Sequence, residues 1–129
     1  MYETGAVRHV LAWHVMPGMP PPEGERHSHD YRIEATVRCA ELDDRGMGVD
    51  LDVLQAALVA TANTVRDADL EGVVADKGTA ITVEVFARWV HRRIAEALNN
   101  GASGGELAVR VWESPSAFGG YGAPLRESA

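Results

Sequence analysis

An alternating pattern over residues 31–37 constrains the fold of this chain more than any other feature. Its apolar members are separated by polar residues, and they are Ile33, Ala35 and Val37. A two-residue period of this kind is typical of a strand with one buried face. His27 and His29 precede the pattern at positions i and i+2. If the strand extends back to them, both side chains leave the same face.

Similar patterns predict the rest of a small sheet. Residues 7–14 predict a first strand, residues 32–41 a second and residues 107–112 a third, while residues 118–121 predict a short edge strand. Residues 16–26 are rich in proline and glycine and predict a long loop between the first two strands. Since long loops in compact domains are usually functional or mobile, we expect this one to border an active site.

Helical spacing of apolar residues predicts two helices between the second and third strands. The first begins near Asp50, a residue type that caps helices, with Asp52 in its first turn. The second is capped by Thr82 and ends at residues 99–101. Residues 66–79 read as a polar connection. The apolar stripes are Leu51, Leu54, Ala57, Leu58 and Thr61 in the first helix, and Phe86, Val90, Ile94, Ala97 and Leu98 in the second.

The resulting order, β-β-α-α-β-β, predicts an α+β fold with two helices on one face of the sheet. So small a sheet leaves open edges, and we therefore expect a homo-oligomer. The 129 residues and 13.9 kDa suit one domain spanning residues 1–129. Residues 122–129 are predicted to form a flexible tail.

Composition excludes several classes of partner. The net charge of -7 argues against a broad nucleic-acid footprint, although a small anionic substrate needs only a local cation. No apolar run approaches the roughly 18 to 20 residues that a membrane span requires. The single cysteine, Cys39, cannot form an intrachain disulfide and is more simply a buried residue than a nucleophile. We expect a cytoplasmic protein with a small-molecule substrate.

His14, His27 and His29 are the candidate metal ligands. A third imidazole, brought from a neighbouring strand to the i, i+2 pair, would complete the three-nitrogen set of a catalytic zinc site, with one position left for water or substrate. Spacing alone leaves open a metal-free, hydrogen-bonded cluster of histidines.

Five blocks of the sequence, in order, resemble those of the 6-pyruvoyl- and 6-carboxy-tetrahydropterin synthases. Residues 10–14 (VLAWH) are similar to the family's F-x-A-x-H, residues 27–31 (HSHDY) to its H-G-H-x-Y, and residues 46–51 (GMGVDL) to its G-M-V-x-D-F. Residues 82–87 (TVEVFA) are similar to T-x-E-N-L-A, and residues 109–114 (VRVWES) to V-x-V-x-E-T.

The resemblance implies a fold and a set of roles. The fold is the tunnelling fold, in which four-stranded antiparallel sheets from several subunits join into a barrel, usually a trimer that pairs into a hexamer. On this resemblance, we expect His14, His27 and His29 to hold zinc and the Glu113 carboxylate to accept two parallel N–H bonds from the guanidine-like edge of a pterin. Active sites of this family lie between subunits.

The sequence also departs from the family pattern at the catalytic groups. Glu23 stands where the family usually has its catalytic cysteine, and a carboxylate can act there as a base. Arg66 and Asp67 stand at the positions of the family's aspartate-histidine dyad, so we treat both as candidate site residues.

The resemblance therefore predicts a zinc-dependent lyase or cyclase with a rewritten dyad, acting on a small, polar, pterin-like substrate. Two alternatives stay open. One is a repurposed family member acting on a non-pterin small molecule in a biosynthetic pathway, and the other is a catalytically inert homologue that binds zinc or a pterin.

Overall fold

The sheet of this protein is a four-stranded antiparallel meander in the order β1-β2-β3-β4, and the α+β prediction is confirmed. The structure is a computed structural model that describes residues 1–74, 80–99 and 104–125. Its elements in chain order are β1 (Tyr2–His14), β2 (His27–Cys39), α1 (Leu51–Val65), α2 (Leu70–Val73), α3 (Val83–Leu98), β3 (Glu106–Ser114) and β4 (Ala117–Pro124).

The first two strands are longer than their sequence patterns predicted. β1 and β2 pair continuously from Tyr2 opposite Cys39 to His14 opposite His27. β2 therefore includes the pair of histidines, and the predicted loop, residues 16–26, ends where the pairing starts, directly after Arg26. At the other end of the sheet, β4 continues to Pro124. Residues 122–124 are thus strand and not tail, while residues 126–129 lie outside the described part.

Both predicted helix starts are confirmed by hydrogen bonds. The Asp50 side chain accepts from the Asp52 backbone N–H at 2.9 Å, and the Thr82 hydroxyl accepts from the Val85 N–H at 3.2 Å. α3 ends at Leu98 with Asn99 as its C-cap. The rest of the predicted stop, residues 100–101, lies outside the described residues.

The core lies between one face of the sheet and the helices. Tyr31, Ile33 and Val37 project from β2 into it and are almost fully buried. Phe86 packs edge to face on Tyr31, with their ring centroids 5.2 Å apart. Burying side chains of this size stabilises the fold by about 1.5–3 kcal/mol each. Cys39 is buried and free, as expected.

The connection after α1 is the part that the sequence described least well. The segment predicted as polar contains the short helix α2, and its apolar residues Leu70 and Val74 are 1% and 2% exposed. These two residues are one helical turn apart, too short a pattern to stand out against the polar residues around it. Residues 75–79 lie outside the described part. None of the helices in the described residues is long and apolar enough to cross a membrane.

Candidate functional site

The three predicted histidines lie side by side where β1 ends and β2 begins. The register of this hairpin places His14 opposite His27. The ring centroids of His14 and His27 are 5.2 Å apart, and those of His27 and His29 are 4.9 Å apart. Both contacts are edge to face. His14, the most buried of the three, is 5% exposed.

Two of the three rings have their Nδ1 atoms engaged by oxygen acceptors. His27 Nδ1 lies 2.8 Å from the backbone carbonyl oxygen of Glu25, and His14 Nδ1 lies 2.8 Å from Glu71 Oε1. A carbonyl oxygen can only accept, so His27 Nδ1 must carry the hydrogen. Glu71 Oε1, which also accepts from the Val15 backbone N–H, acts as the acceptor for His14 Nδ1 in the same way. In the neutral form of both rings, Nε2 therefore keeps its lone pair for another partner.

The third ring, His29, lies next to a carboxylate and a tyrosine. Its Nε2 is 4.0 Å from Glu113 Oε2, and its ring packs edge to face on Tyr31 at 5.3 Å. Burial lowers the pKa of His29 from its usual value, and the Glu113 carboxylate opposes that shift. Burial also raises the pKa of the Tyr31 phenol. Both rings are therefore neutral near pH 7.

Proximity of the rings is not yet a metal site. Within residues 1–74, 80–99 and 104–125, no group of three or more histidine, cysteine, aspartate or glutamate side chains is arranged to hold a metal ion. The rings are brought together, but their nitrogens do not converge on one point. Zinc binding stays a prediction.

A cavity of about 530 Å³ opens beside the histidines. The 16–26 loop contributes Met16, Met19, Pro22 and Glu23 to its wall, and the start of α3 contributes Thr82, Val83 and Glu84. Three carboxylates border this space, those of Glu23, Glu84 and Glu113, and no arginine or lysine is among its described lining residues. The described wall is thus apolar and acidic, apart from the imidazoles.

The predicted catalytic and binding residues divide into two groups. Glu23 and Glu113 line the cavity, whereas Arg66 and Asp67 are not among its lining residues. Arg66 Nη2 donates to Asn63 Oδ1 at 2.7 Å, on the surface of α1. Asp67 Oδ1 accepts from the Trp13 indole N–H at 3.0 Å. Arg66 and Asp67, at the dyad positions, thus form hydrogen bonds with Asn63 and Trp13 and are not part of the described cavity wall.

Sequence reasoning singled out neither Glu71 nor Glu84 as a site residue. Glu71 is 57 positions away from His14 in sequence, in a segment without periodic pattern, so only the fold could bring them together. Glu84 lies in the first turn of α3 and also lines the cavity. An acidic residue in the first turn of a helix is common for electrostatic reasons alone. Nothing in the sequence therefore indicated that Glu84 also lines the cavity.

The fold and the histidine-lined cavity agree with one protein family. Residues 7–123 match the family model for 6-pyruvoyl tetrahydropterin synthase, and the chain belongs to that family. No curated protein matches the sequence closely enough to count as a relative.

Several solved structures share the fold of this chain at low sequence identity. The chain is similar to 6-pyruvoyl tetrahydropterin synthase from Caenorhabditis elegans, with a TM-score of 0.74, 21% identity and 95% of each chain covered. It is also similar to the Plasmodium falciparum enzyme, with a TM-score of 0.73, 11% identity and coverage of 95% of this chain and 97% of that one. A Plasmodium vivax enzyme with a catalytic glutamate changed to alanine gives a TM-score of 0.68 at 10% identity, over 95% of this chain and 99% of the other.

Proposed function

We propose that this protein is a zinc-dependent lyase or cyclase acting on a small, polar, pterin-like substrate. Membership of the 6-pyruvoyl tetrahydropterin synthase family supports an enzyme of the lyase type. The observation that carries the zinc proposal is the cluster of His14, His27 and His29 at the wall of the 530 Å³ cavity.

The donor set suits zinc. Zinc in catalytic sites is commonly held by three protein ligands, and three neutral imidazoles are one such set. Two of these rings already place their Nδ1 hydrogens on oxygen acceptors, which leaves Nε2 as the donor atom. The side chains would have to rotate to aim the three nitrogens at one point. When bound, zinc would polarise a substrate oxygen and lower the pKa of its proton.

The carboxylates of the cavity would do the remaining work. Glu23, at the position of the family's catalytic cysteine, would accept or return a proton at the substrate side chain. The catalytic residue changed in the Plasmodium vivax variants is likewise a glutamate. Glu113 would anchor a guanidine-like edge, since a carboxylate accepts two parallel N–H bonds. The apolar residues of the cavity wall, such as Phe86 and Leu70, would keep water away from the ring of the bound substrate.

Metal binding is tested with a histidine variant and a matched control. We expect the purified protein to bind one zinc ion per chain and the His27→Ala variant to lose this ion, as measured by metal analysis and calorimetric titration. His9→Ala removes an exposed histidine that does not line this cavity and serves as the control. Equal zinc binding by His27→Ala and the parent protein would refute the site.

The role of Glu23 is tested by turnover. Glu23→Gln keeps the size of the side chain but cannot take a proton, so we expect the rate of triphosphate release from dihydroneopterin triphosphate to fall about 100- to 10,000-fold, with zinc retained. Glu25→Gln is the control, because only the backbone carbonyl of Glu25 meets His27. A rate unchanged by Glu23→Gln would remove Glu23 from the chemistry.

One observation favours a second candidate, a family member that acts on a different small molecule. The described wall of the cavity offers three carboxylates and no arginine or lysine to a triphosphate. Zinc binding without turnover of dihydroneopterin triphosphate and without pterin binding would support this candidate. Zinc with saturable pterin binding but no turnover would favour an inert binding protein.

The assembly belongs to the same proposal. In the described residues, β1 and β4 are the edges of the sheet and each pairs on one side only. Unpaired edges of this length favour strand addition between copies, so we propose a barrel of several subunits, a trimer or a hexamer. Sedimentation should give three or six times the 13.9 kDa of the chain, and a monomer at micromolar concentration would contradict the barrel.

A further inference from the structure

One carboxylate behind the histidine cluster has no role so far. Glu71 Oε1 accepts two hydrogen bonds, from His14 Nδ1 at 2.8 Å and from the Val15 backbone N–H at 2.7 Å. The His14 side chain is only 6% exposed and that of Glu71 is 39% exposed. Hydrogen bonds that involve a charged group are stronger than those between two neutral groups. Partial burial shields the hydrogen bond between His14 and Glu71 from screening by solvent.

The backbone after α1 brings Glu71 to this place. Asp67 N–H donates to the Leu11 carbonyl at 2.7 Å, and Trp13 N–H donates to the Ala68 carbonyl at 2.8 Å. Residues 67–69 therefore run alongside the end of β1. Leu70, buried in the core, then fixes the start of α2, and the next residue, Glu71, meets the last residue of the strand.

The neighbouring histidines are held differently. His27 binds the backbone carbonyl of Glu25, and a side-chain substitution at Glu25 would leave this carbonyl in place. The Glu113 carboxylate lies 4.0 Å from His29, beyond hydrogen-bonding distance. For His14 the acceptor is a side chain. Because the accepted hydrogen must sit on Nδ1, this contact selects one tautomer of His14 and limits rotation of its ring.

We infer that Glu71 is a positioning residue, which holds His14 in the Nδ1–H tautomer with Nε2 available to a metal ion. This inference rests on the zinc site proposed above. A carboxylate that accepts from the second nitrogen of a ligating histidine makes the ligand more basic and pre-orients it, and its loss typically weakens metal binding about 10- to 100-fold.

The test compares three variants of the full chain with the parent protein. Glu71→Ala removes the acceptor, and Glu71→Gln keeps a neutral one of the same size. Asp69→Ala is the control, since it removes a carboxylate two residues away that pairs with Arg26 and not with a histidine. Zinc affinity is measured by chelator competition, the His14 tautomer by ¹⁵N NMR of the metal-free protein, and unfolding by urea.

The inference predicts a specific pattern of zinc affinities and of the His14 tautomer signal among the variants. Zinc affinity falls about 10- to 100-fold in Glu71→Ala, falls less in Glu71→Gln and is unchanged in Asp69→Ala. The Nδ1–H signal of His14 is present in the parent protein and reduced in Glu71→Ala. A purely structural role would lower the urea midpoint without this tautomer change.

Several results would overturn it. Equal zinc affinity in Glu71→Ala and the parent protein removes the positioning role, as does an equal loss in Asp69→Ala. If Glu71→Ala does not fold, a fourth variant, Glu71→Met, removes the acceptor while keeping the size of the side chain, and unchanged zinc affinity in Glu71→Met then overturns the inference. A parent protein that binds no zinc refutes the proposed function instead, and the tautomer signal alone then decides whether Glu71 orients His14.

Discussion

The turn after α1 depends on Asp67, whose backbone φ of 54° lies in the left-handed region. Few residues other than glycine adopt this conformation, and asparagine and aspartate are the main exceptions. The side chain also accepts the Trp13 indole N–H. Asp67 thus has a structural task that accounts for its presence, whereas its assignment as a catalytic residue stays a prediction.

Substitution of Asp67 by asparagine separates the two roles. An asparagine at this position tolerates the same φ and its amide oxygen can accept from Trp13, so we expect Asp67→Asn to change the free energy of unfolding by less than about 0.5 kcal/mol. A purely structural Asp67 predicts unchanged turnover as well. Turnover that collapses while the urea transition stays in place would assign Asp67 to the chemistry.

At the scale of elements, the start of β3 leaves little room for a side chain at Gly105. Gly105 has a φ of 109°, and a Cβ atom added there would lie 2.7 Å from the Arg38 carbonyl oxygen on β2. Its own carbonyl accepts from the Leu125 N–H at 2.8 Å. Because Gly105 has no Cβ, the chain can pass this close to β2 as β3 enters the sheet between β2 and β4.

Two glycine substitutions test this requirement. Gly46 also has a positive φ, of 76°, but an added Cβ would meet no atom within 4 Å. We expect Gly46→Ala to lower the free energy of unfolding by about 1–2 kcal/mol, the cost of the left-handed conformation. Gly105→Ala should cost clearly more, because the backbone must also move. Equal urea midpoints for the two variants would contradict the steric account.

The elements also explain what the sequence predicted well. Strand centres and helix starts follow from local patterns, such as the alternation around Ile33 and the caps at Asp50 and Thr82. The ends of β1 and β2 do not, because Tyr2 and His27 become strand residues only through pairing across the hairpin. The helix α2 was missed for a similar reason, since Leu70 and Val74 are ordered by tertiary packing.

At the scale of the whole molecule, His91 links α3 to the last two strands of the sheet, β3 and β4. The ring is 6% exposed, its Nε2 lies 3.0 Å from the Leu107 carbonyl oxygen, and it packs on Tyr121. Burial lowers the pKa of His91, and the neighbouring backbone carbonyls and Glu106 oppose this shift only in part. The folded protein therefore holds a neutral imidazole at a pH where the unfolded chain begins to protonate.

A pH dependence of stability follows. Below an unfolded pKa near 6.5, the unfolded chain takes up a proton at this residue that the folded state resists, so the stability contributed by neutral His91 is lost as the pH falls through its lower folded pKa. We expect the free energy of unfolding to drop less between pH 7.5 and 5 in His91→Gln than in the parent protein. The difference should stay below about 1.4 kcal/mol per pH unit, the limit for one proton. Parallel pH profiles for the two proteins would exclude this role for His91.

The sequence by itself determined the centres of the four strands, the starts of α1 and α3, and which three histidines are candidate ligands. These properties depend on periodicity, capping and residue chemistry, which act over a few positions. Only the tertiary structure decided that Glu71 meets His14, that Arg66 and Asp67 lie outside the cavity wall, and that Glu84 lines it. Contacts between residues distant in the chain depend on how the elements pack, and no local pattern records that packing.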